Sequence, residues 1–314
     1  MNPTVPVHVT RIYQVTPMIR EFTLAALDAP LQPFSSGSHV IVQLPVEGRI
    51  IRNAYSLLNA PYEQHQYQIA VRLQENSRGG SQYLHENIQV GDTLNISAPL
   101  NLFSLNSQAQ HHVFIAGGIG ITPFLSHMKY LLHAGHSFEL HYACRDGISN
   151  AYEDMLMQLF HDQVHIYSEK TRCRLDINAL LSQQSLGSHV YICGPERLIH
   201  AVVDCAQMLG WSKKRVHWEA FSSPAPGVAF DAVLSKSQRR IHVPGDFSLL
   251  EALEQEGIEV PNLCRGGVCG QCATSYSQGE VEHLDHYLTV QERSAQLMPC
   301  VSRAKQGHCL HLDL

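Results

Sequence analysis

The 314-residue sequence predicts a multidomain chain of β and α/β class. An antiparallel β-barrel comes first, then a parallel α/β domain, then a small C-terminal domain built around a cysteine cluster. Three observations predict this. Residues 1–105 carry short alternating runs broken by turn residues, the signature of an antiparallel barrel or sandwich. Residues 106–224 alternate strand-like and helix-like segments, as a parallel sheet with crossover helices requires. Residues 230–314 hold four cysteines in a spacing that suits a metal cluster. A chain of this length fits two or three domains.

In the first domain the alternating runs are Val7–Val15, Glu21–Ala26, His39–Leu44, Tyr67–Leu73 and Thr93–Ser97, and Tyr55-Ser56 ends another. In the second, strands are expected at His112–Ala116, Glu139–Cys144, Val164–Tyr167 and His189–Cys193. Helices are expected at Thr122–His133, Ser149–Phe160, Asp176–Gln183 and Glu196–Leu209. Gly117–Gly120 reads as a turn, with Thr122 as a helix cap and Pro123 at the first helical position. The stretch 222–229, SSPAPGVA, reads as a linker. Beyond it come strands at Phe230–Leu234 and Arg240–Val243, and a short helix with Ser248 and Glu251 as a capping box and Gly257 at its end. A strand at Cys309–Leu312 closes the chain.

Composition narrows the function. The net charge is −6 and only 16% of residues are charged, which argues against nucleic-acid binding. No apolar run reaches the roughly 18–20 residues of a membrane span, and the N-terminus shows no signal-peptide pattern. The expected location is therefore the cytoplasm. There, nine cysteines point to metal or cofactor chemistry and not to disulfides. The 20 histidines form no HExxH motif and read as surface or satisfied core residues.

The segment Cys264-Arg-Gly-Gly-Val-Cys269-Gly-Gln-Cys272, with Cys300 downstream, has the C-x4-C-x2-C…C spacing of a plant-type [2Fe–2S] cluster. Two irons need four thiolates, and three come from one loop. Gly266, Gly267 and Gly270 let that loop turn tightly. Zinc is the alternative, but zinc sites usually show two CxxC-like pairs and only one is present. Of Cys144, Cys173, Cys193, Cys205 and Cys309, most read as small buried hydrophobes.

Two turns suggest a nucleotide site. Ile115-Ala-Gly117-Gly118-Ile119-Gly120-Ile121-Thr122-Pro123 joins a strand to a helix, where backbone N–H groups can meet a pyrophosphate. Cys193-Gly194-Pro195 lies at a second strand–helix junction on the same sheet edge. Arg145 can reach a phosphate, and Asp146 would repel a 2′-phosphate, favouring NADH over NADPH. A nicotinamide delivers electrons in pairs and a [2Fe–2S] cluster accepts one, so a flavin is expected between them. Tyr55-Ser56 offers hydroxyls to its ring. Ser77-Arg78-Gly79-Gly80-Ser81 offers a phosphate nest.

The combination of an Asn53–Leu58 segment containing Tyr-Ser, the Ile69–Ser81 segment, the Ala116–His127 segment, Cys-Gly-Pro and the C-terminal cysteine motif resembles the phthalate dioxygenase reductase family over the whole chain. Within it, the segments lie nearest to carnitine-type reductases, with vanillate and chlorobenzoate types similar. The resemblance implies FMN, NADH and a C-terminal ferredoxin domain of β-grasp fold. It implies a Rieske-type oxygenase as the partner. It places Tyr55 and Ser56 at the isoalloxazine, Arg78, Gly80 and Ser81 near the FMN phosphate, and Gly117, Gly118, Gly120, Gly194 and Pro195 around NADH. Thr122 would lie between flavin and nicotinamide, Cys193 beside the nicotinamide, and Trp218, Glu219 and Phe221 near the flavin edge. One departure stands out: Asn53 sits two residues before Tyr55, where the family often has arginine. Arg52 and Arg72 are candidates for the missing cation. Residues 246–292 hold nine acidic groups and one arginine, read either as an acidic face that steers the oxygenase or, equally, as a solvated surface that serves solubility. A redox-sensing protein, the remaining alternative, would need no NADH-driven turnover.

Overall fold

The computed structural model describes residues 4–74, 78–221 and 226–314. The chain divides into two compact units, residues 2–221 and 222–314. Within the expected 222–229 linker, residues 222–225 lie outside the described residues, as does Ser77 of the expected phosphate nest.

The first unit opens with an antiparallel sheet of β1 (Thr4–Thr16), β2 (Ile19–Ala26), β3 (Ser38–Val46), β4 (Arg49–Ser56), β5 (Gln66–Arg72), β6 (Thr93–Ser97) and β7 (Leu100–Asn101). Its order is β4-β3-β6-β1-β2-β5, with β7 on β3. Alternation explains which residues face in. Val40, Val42, Leu44 and Val46 of β3 join Val7, Phe22, Ile69 and Ile96 in one buried cluster. The β3–β4 hairpin turns at Glu47 and Gly48, both at positive φ, the geometry that tight two-residue hairpins demand. One short helix, α1 (Gly80–Glu86), follows β5.

A five-stranded parallel sheet follows, made of β8 (His111–Gly117), β9 (Ser137–Ala143), β10 (Val164–Tyr167), β11 (Ser188–Cys193) and β12 (Val216–Glu219). Its order is β10-β9-β8-β11-β12. The order reverses between β8 and β11, so the crevice where open α/β sheets bind ligands lies at their carboxyl ends. The helices are α2 (Thr122–Ala134), α3 (Glu153–Phe160), α4 (Ile177–Ser182) and α5 (Glu196–Met208). Asp176 caps α4 by accepting from Ala179 N at 3.0 Å. The expected Thr122 cap is not made. A 3-10 turn, Gly118–Ile121, precedes α2, and the Thr122 hydroxyl donates back to Ile119 O at 3.0 Å.

The two sheets of this unit share a core. Ile19, Leu58 and Phe103 pack in one buried cluster with Phe114, Ile121 and Phe124. Ser126 Oγ donates to Asn59 O at 2.8 Å, and Tyr152 Oη to Glu21 Oε2 at 2.8 Å. The antiparallel and parallel sheets are thereby tied together.

The second unit holds β13 (Phe230–Leu234), β14 (Arg240–Val243), α6 (Leu249–Gln255), β15 (Thr274–Gln278), β16 (Val281–Glu282), β17 (Gln296–Leu297), β18 (Arg303–Ala304) and β19 (Leu310–Leu312). The main sheet runs β14-β13-β19-β15-β17 and β16 pairs with β18. The expected capping box forms: Glu251 N donates to Ser248 Oγ at 3.1 Å, and Ser248 N to Glu251 Oε2 at 2.8 Å. Gly257, at φ 75°, follows the helix end, where a left-handed residue satisfies the last carbonyls. Leu249, Leu250 and Leu253 of α6 are buried against Phe230, Val243 and Leu312. No helix among the described residues is long and apolar enough to cross a membrane.

Candidate functional site

At the sheet reversal the two glycine turns touch each other directly. A Cβ on Gly120 would lie 2.2 Å from Cys193 O, and one on Gly194 would lie 2.9 Å from Gly117 Cα. A Cβ on Gly117 would lie 2.6 Å from Pro195 Cδ. Only glycine permits this approach of backbone to backbone, which the pairing of Cys193 with Ala116 sets up. Gly118 takes φ 55° and turns the chain into the 3-10 segment. The result is a backbone-lined crevice with α2 and α5, thirteen residues each, starting at its rim. Helix starts of this kind favour a pyrophosphate.

Thr122 and Cys193 are buried beside this crevice. Burial, with the Glu219 charge nearby, holds the Cys193 thiol well above its ordinary value. It is a neutral, inert group and no nucleophile. Phe221 is exposed. Arg145 N donates to Ser149 Oγ at 3.0 Å, while Asp146 Oδ2 accepts from Lys170 N at 2.8 Å. The Asp146 carboxylate thus anchors the neighbouring 168–171 turn.

On the antiparallel sheet, Arg49, Ile51, Asn53 and Tyr55 share one face of β4 by strand alternation. Asn53 Nδ2 donates to Tyr55 Oη at 3.3 Å. Burial pushes the Tyr55 phenol up to about 12 against that donation, so it stays protonated. Gly79 takes φ 100°, and a Cβ on Gly80 would fall 2.5 Å from Asn53 Nδ2. The Gly79-Gly80 turn therefore lies against Asn53. Arg49 Nη2 donates to Arg78 O at 3.2 Å, which brings a second guanidinium-bearing side chain to this turn. Ser81 is buried and its Oγ accepts from Gln74 N at 3.2 Å. Ser56, also buried, pairs across the strands with His39. Arg52 alternates to the other face of β4, and Arg72 lies on β5 opposite Ile19. Arg49, which reasoning from sequence did not single out, stands four residues before Asn53 and so shares its face of β4.

In the second unit the cysteines interact as one set. Cys272 and Cys300 Sγ are 3.3 Å apart. Cys264 hydrogen-bonds with Cys269, and its charge bears on both Cys272 and Cys300. Within each pair the hydrogen bond lowers one thiol and raises the other, Cys269 against Cys264 and Cys272 against Cys300, so each pair shares a proton that iron would displace. Gly266 N points at Cys264 Sγ at 3.3 Å. Gly267 and Gly270 take φ 74° and 77°. A Cβ on Gly267 would lie 2.7 Å from Val301 Cγ2, and one on Gly270 would lie 2.2 Å from the Tyr287 ring. Four soft donors on a tightly wound glycine loop fit a [2Fe–2S] cluster.

Tyr287, which covers Gly270, is 52% exposed, and Val290 nearby in sequence is 90% exposed. His286 N donates to Gly267 O at 3.0 Å, tying this segment to the cluster loop. The acidic face expected over 246–292 is weaker than its residue count. Glu254 is clamped by both Arg265 Nη atoms, Glu251 serves the capping box, and Asp285 is buried beside Arg293. Glu256 pairs with Arg239 and Glu280 with Lys305. The last three of these cations lie outside the counted segment, which is why the count overstated the charge.

Residues 6–104 match the family described as "Oxidoreductase FAD-binding domain" and residues 233–305 match "2Fe-2S iron-sulfur cluster binding domain". Residues 97–216 match "Dimethylamine monooxygenase subunit DmmA-like, N-terminal domain". The chain is 52% identical to the heme-dependent oxidative N-demethylase beta subunit of Ectopseudomonas mendocina (strain ymp), over 100% of both chains. It is 46% identical to the carnitine monooxygenase reductase subunit of Escherichia coli (strain K12), over 98% of each. The solved structure of phthalate dioxygenase reductase superposes with a TM-score of 0.90 at 34% identity, covering 99% of this chain and 98% of that one. Fold and site together define an NAD(P)H-dependent flavin/iron–sulfur oxidoreductase. The chain belongs to the phthalate dioxygenase reductase family, the reductase subunits of oxygenase systems.

Proposed function

We propose that this chain takes electrons from NADH, through FMN and the [2Fe–2S] cluster, to an oxygenase subunit that oxidises an N-methylated amine, with carnitine the first candidate. The similarity to a beta subunit named for oxidative N-demethylation and to a reductase subunit named for carnitine carries this reading. The partner's own redox centre is read as Rieske-type from the family resemblance, beside a relative named as heme-dependent. An aromatic demethylase is the competing assignment.

The domains are read as 1–105 for flavin, 106–224 for nucleotide and 230–314 for the cluster. The backbone N–H groups of Gly117–Gly120 and Gly194 hold the NADH pyrophosphate, and Asp146 disfavours a 2′-phosphate. Thr122, Cys193 and Phe221 shape the place where nicotinamide meets the flavin ring. Tyr55 and Ser56 orient that ring. Cys264, Cys269, Cys272 and Cys300 ligate the irons. When bound, the flavin accepts an electron pair and the cluster passes electrons on singly. The residues therefore act by positioning and need no general base.

FMN is taken from the family resemblance, and its phosphate is assigned to the turn at Gly79-Gly80-Ser81, where the Arg49 guanidinium reaches the Arg78 carbonyl. Arg49 supplies the cation that Asn53 does not. The variant Arg49→Gln is expected to weaken FMN binding by about tenfold, the scale of one charge-assisted hydrogen bond, read by fluorescence of released flavin. Unchanged affinity would remove Arg49 from the site.

Reconstitution tests the partner. The purified reductase is mixed with NADH and, separately, the oxygenase components of carnitine monooxygenase, the heme-dependent N-demethylase and vanillate demethylase. Amine-dependent product from either of the first two, well above the vanillate rate, supports the proposal. Faster vanillate turnover contradicts it.

A further inference from the structure

We propose a binding site for a divalent transition-metal ion of the Zn2+ type on the parallel sheet, with Glu139, His141 and His165 as its ligands. The three residues come from two adjacent strands. His141 and His165 are directly paired across β9 and β10, and Glu139 lies two residues before His141 on the same face. Their ligand atoms all lie within 4.8 Å of one another. Phe138, Leu140 and Tyr142 turn to the opposite face and are buried in the core, so the sheet itself fixes the direction of the three ligands.

The surroundings are already those of a metal site. His141 is 5% exposed, and its Nδ1 contacts Tyr167 Oη at 2.9 Å. Its Nε2 has no hydrogen-bond partner and lies 3.4 Å from Glu139 Oε1. Two ligands on a tetrahedral zinc ion stand about 3.4 Å apart, given bond lengths of roughly 2.0–2.1 Å. A buried imidazole nitrogen without a partner carries a desolvation cost, which a cation between it and the carboxylate would remove. Gln184 Nε2 donates to Glu139 Oε1 at 2.7 Å. Metal-ligating histidines and carboxylates usually have such outer partners to fix ring and oxygen, and here both are in place.

The exposed His165 ring stacks on His141 at 4.8 Å between centroids and can rotate to complete the set. Two imidazoles and one carboxylate suit zinc or copper far better than magnesium or calcium. The fourth position faces water. Bound there, the ion would clip the edge strand β10 to β9.

The test uses the full chain with flavin and cluster loaded, so the cluster cysteines are occupied. Wild type, His165→Ala and Glu139→Gln are dialysed against ZnCl2, and zinc and iron are counted per chain. The proposal predicts one zinc per chain in wild type, affinity weaker by at least about tenfold in either variant, and a thermal midpoint that zinc raises only in wild type. Zinc bound equally by wild type and His165→Ala, or not bound at all, overturns it. Because His165 is exposed on an edge strand, its variant retains flavin and cluster, which their absorbance checks, even if Glu139→Gln does not fold.

Discussion

Gly120 shows how a missing side chain makes a site. Its Cβ position is filled by Cys193 O at 2.2 Å, so Gly120→Ala must push the two glycine turns, proposed to hold NADH, apart. Catalytic efficiency with NADH is expected to fall by about tenfold or more, equivalent to about 1.4 kcal/mol, while flavin content stays constant. Steady-state ferricyanide reduction measures it, and an unaltered efficiency would mean the turns do not hold NADH. Tyr287 poses the matching question at the cluster. It is exposed and lies on Gly270, so Tyr287→Ala should slow delivery to the oxygenase by about tenfold, as for an interface anchor. The NADH–ferricyanide rate and cluster content should not change. Equal loss in both rates would make Tyr287 a structural residue only. The cysteine motif and the glycine turns were legible because each residue type is imposed by chemistry or by steric contact. Arg49 was not, since its role depends on strand alternation bringing it to the Arg78 carbonyl.

Elements were legible where they had length and period. The strands β1, β2, β3, β5 and β6 and the helices α2 and α5 alternate or repeat over enough residues to be read. The pairs β16 and β18, two residues each, carry no period at all. The helix α1 was hidden because its Gly-Gly-Ser start reads as loop, although Gly79 at φ 100° is what turns the chain into it. Thr122 was read as a cap, but the 3-10 turn before it already supplies the helix entry. The Glu139–His141–His165 set could not be read either. His161 precedes His165 at a metal-like spacing, yet it pairs with Asp162 at 3.0 Å, and the convergent partner comes from the next strand.

At the scale of the molecule, buried histidines couple the fold to pH. Burial lowers His39 to about 4, His217 to about 4 and His127 to about 3 from an ordinary 6.5. The unfolded chain takes up protons below about 6.5 and the folded chain does not until lower pH. Stability is therefore intact above that value and falls as pH drops toward about 4, by up to ~1.4 kcal/mol per pH unit for each fully buried group. Both tryptophans, Trp211 and Trp218, lie in the unit that holds these histidines, so their fluorescence follows its denaturant midpoint. A midpoint independent of pH in this window would contradict the assignment. Association with the oxygenase should depend only shallowly on salt, well under tenfold over the physiological range. The reason is that Glu251, Glu254, Glu256, Glu280 and Asp285 are engaged within their own unit. A steep salt dependence of the oxygenase reduction rate would restore the acidic face read from sequence.

The central claim is that one chain carries electrons from a pyridine nucleotide to its own [2Fe–2S] cluster. The most direct measurement mixes the purified, flavin-loaded protein with NADH without oxygen, freezes it, and integrates the electron paramagnetic resonance of the reduced cluster. The expected result is a [2Fe–2S] signal approaching one spin per chain, absent when Cys300 is changed to serine. A full complement of iron that stays oxidised after the flavin has bleached would contradict it.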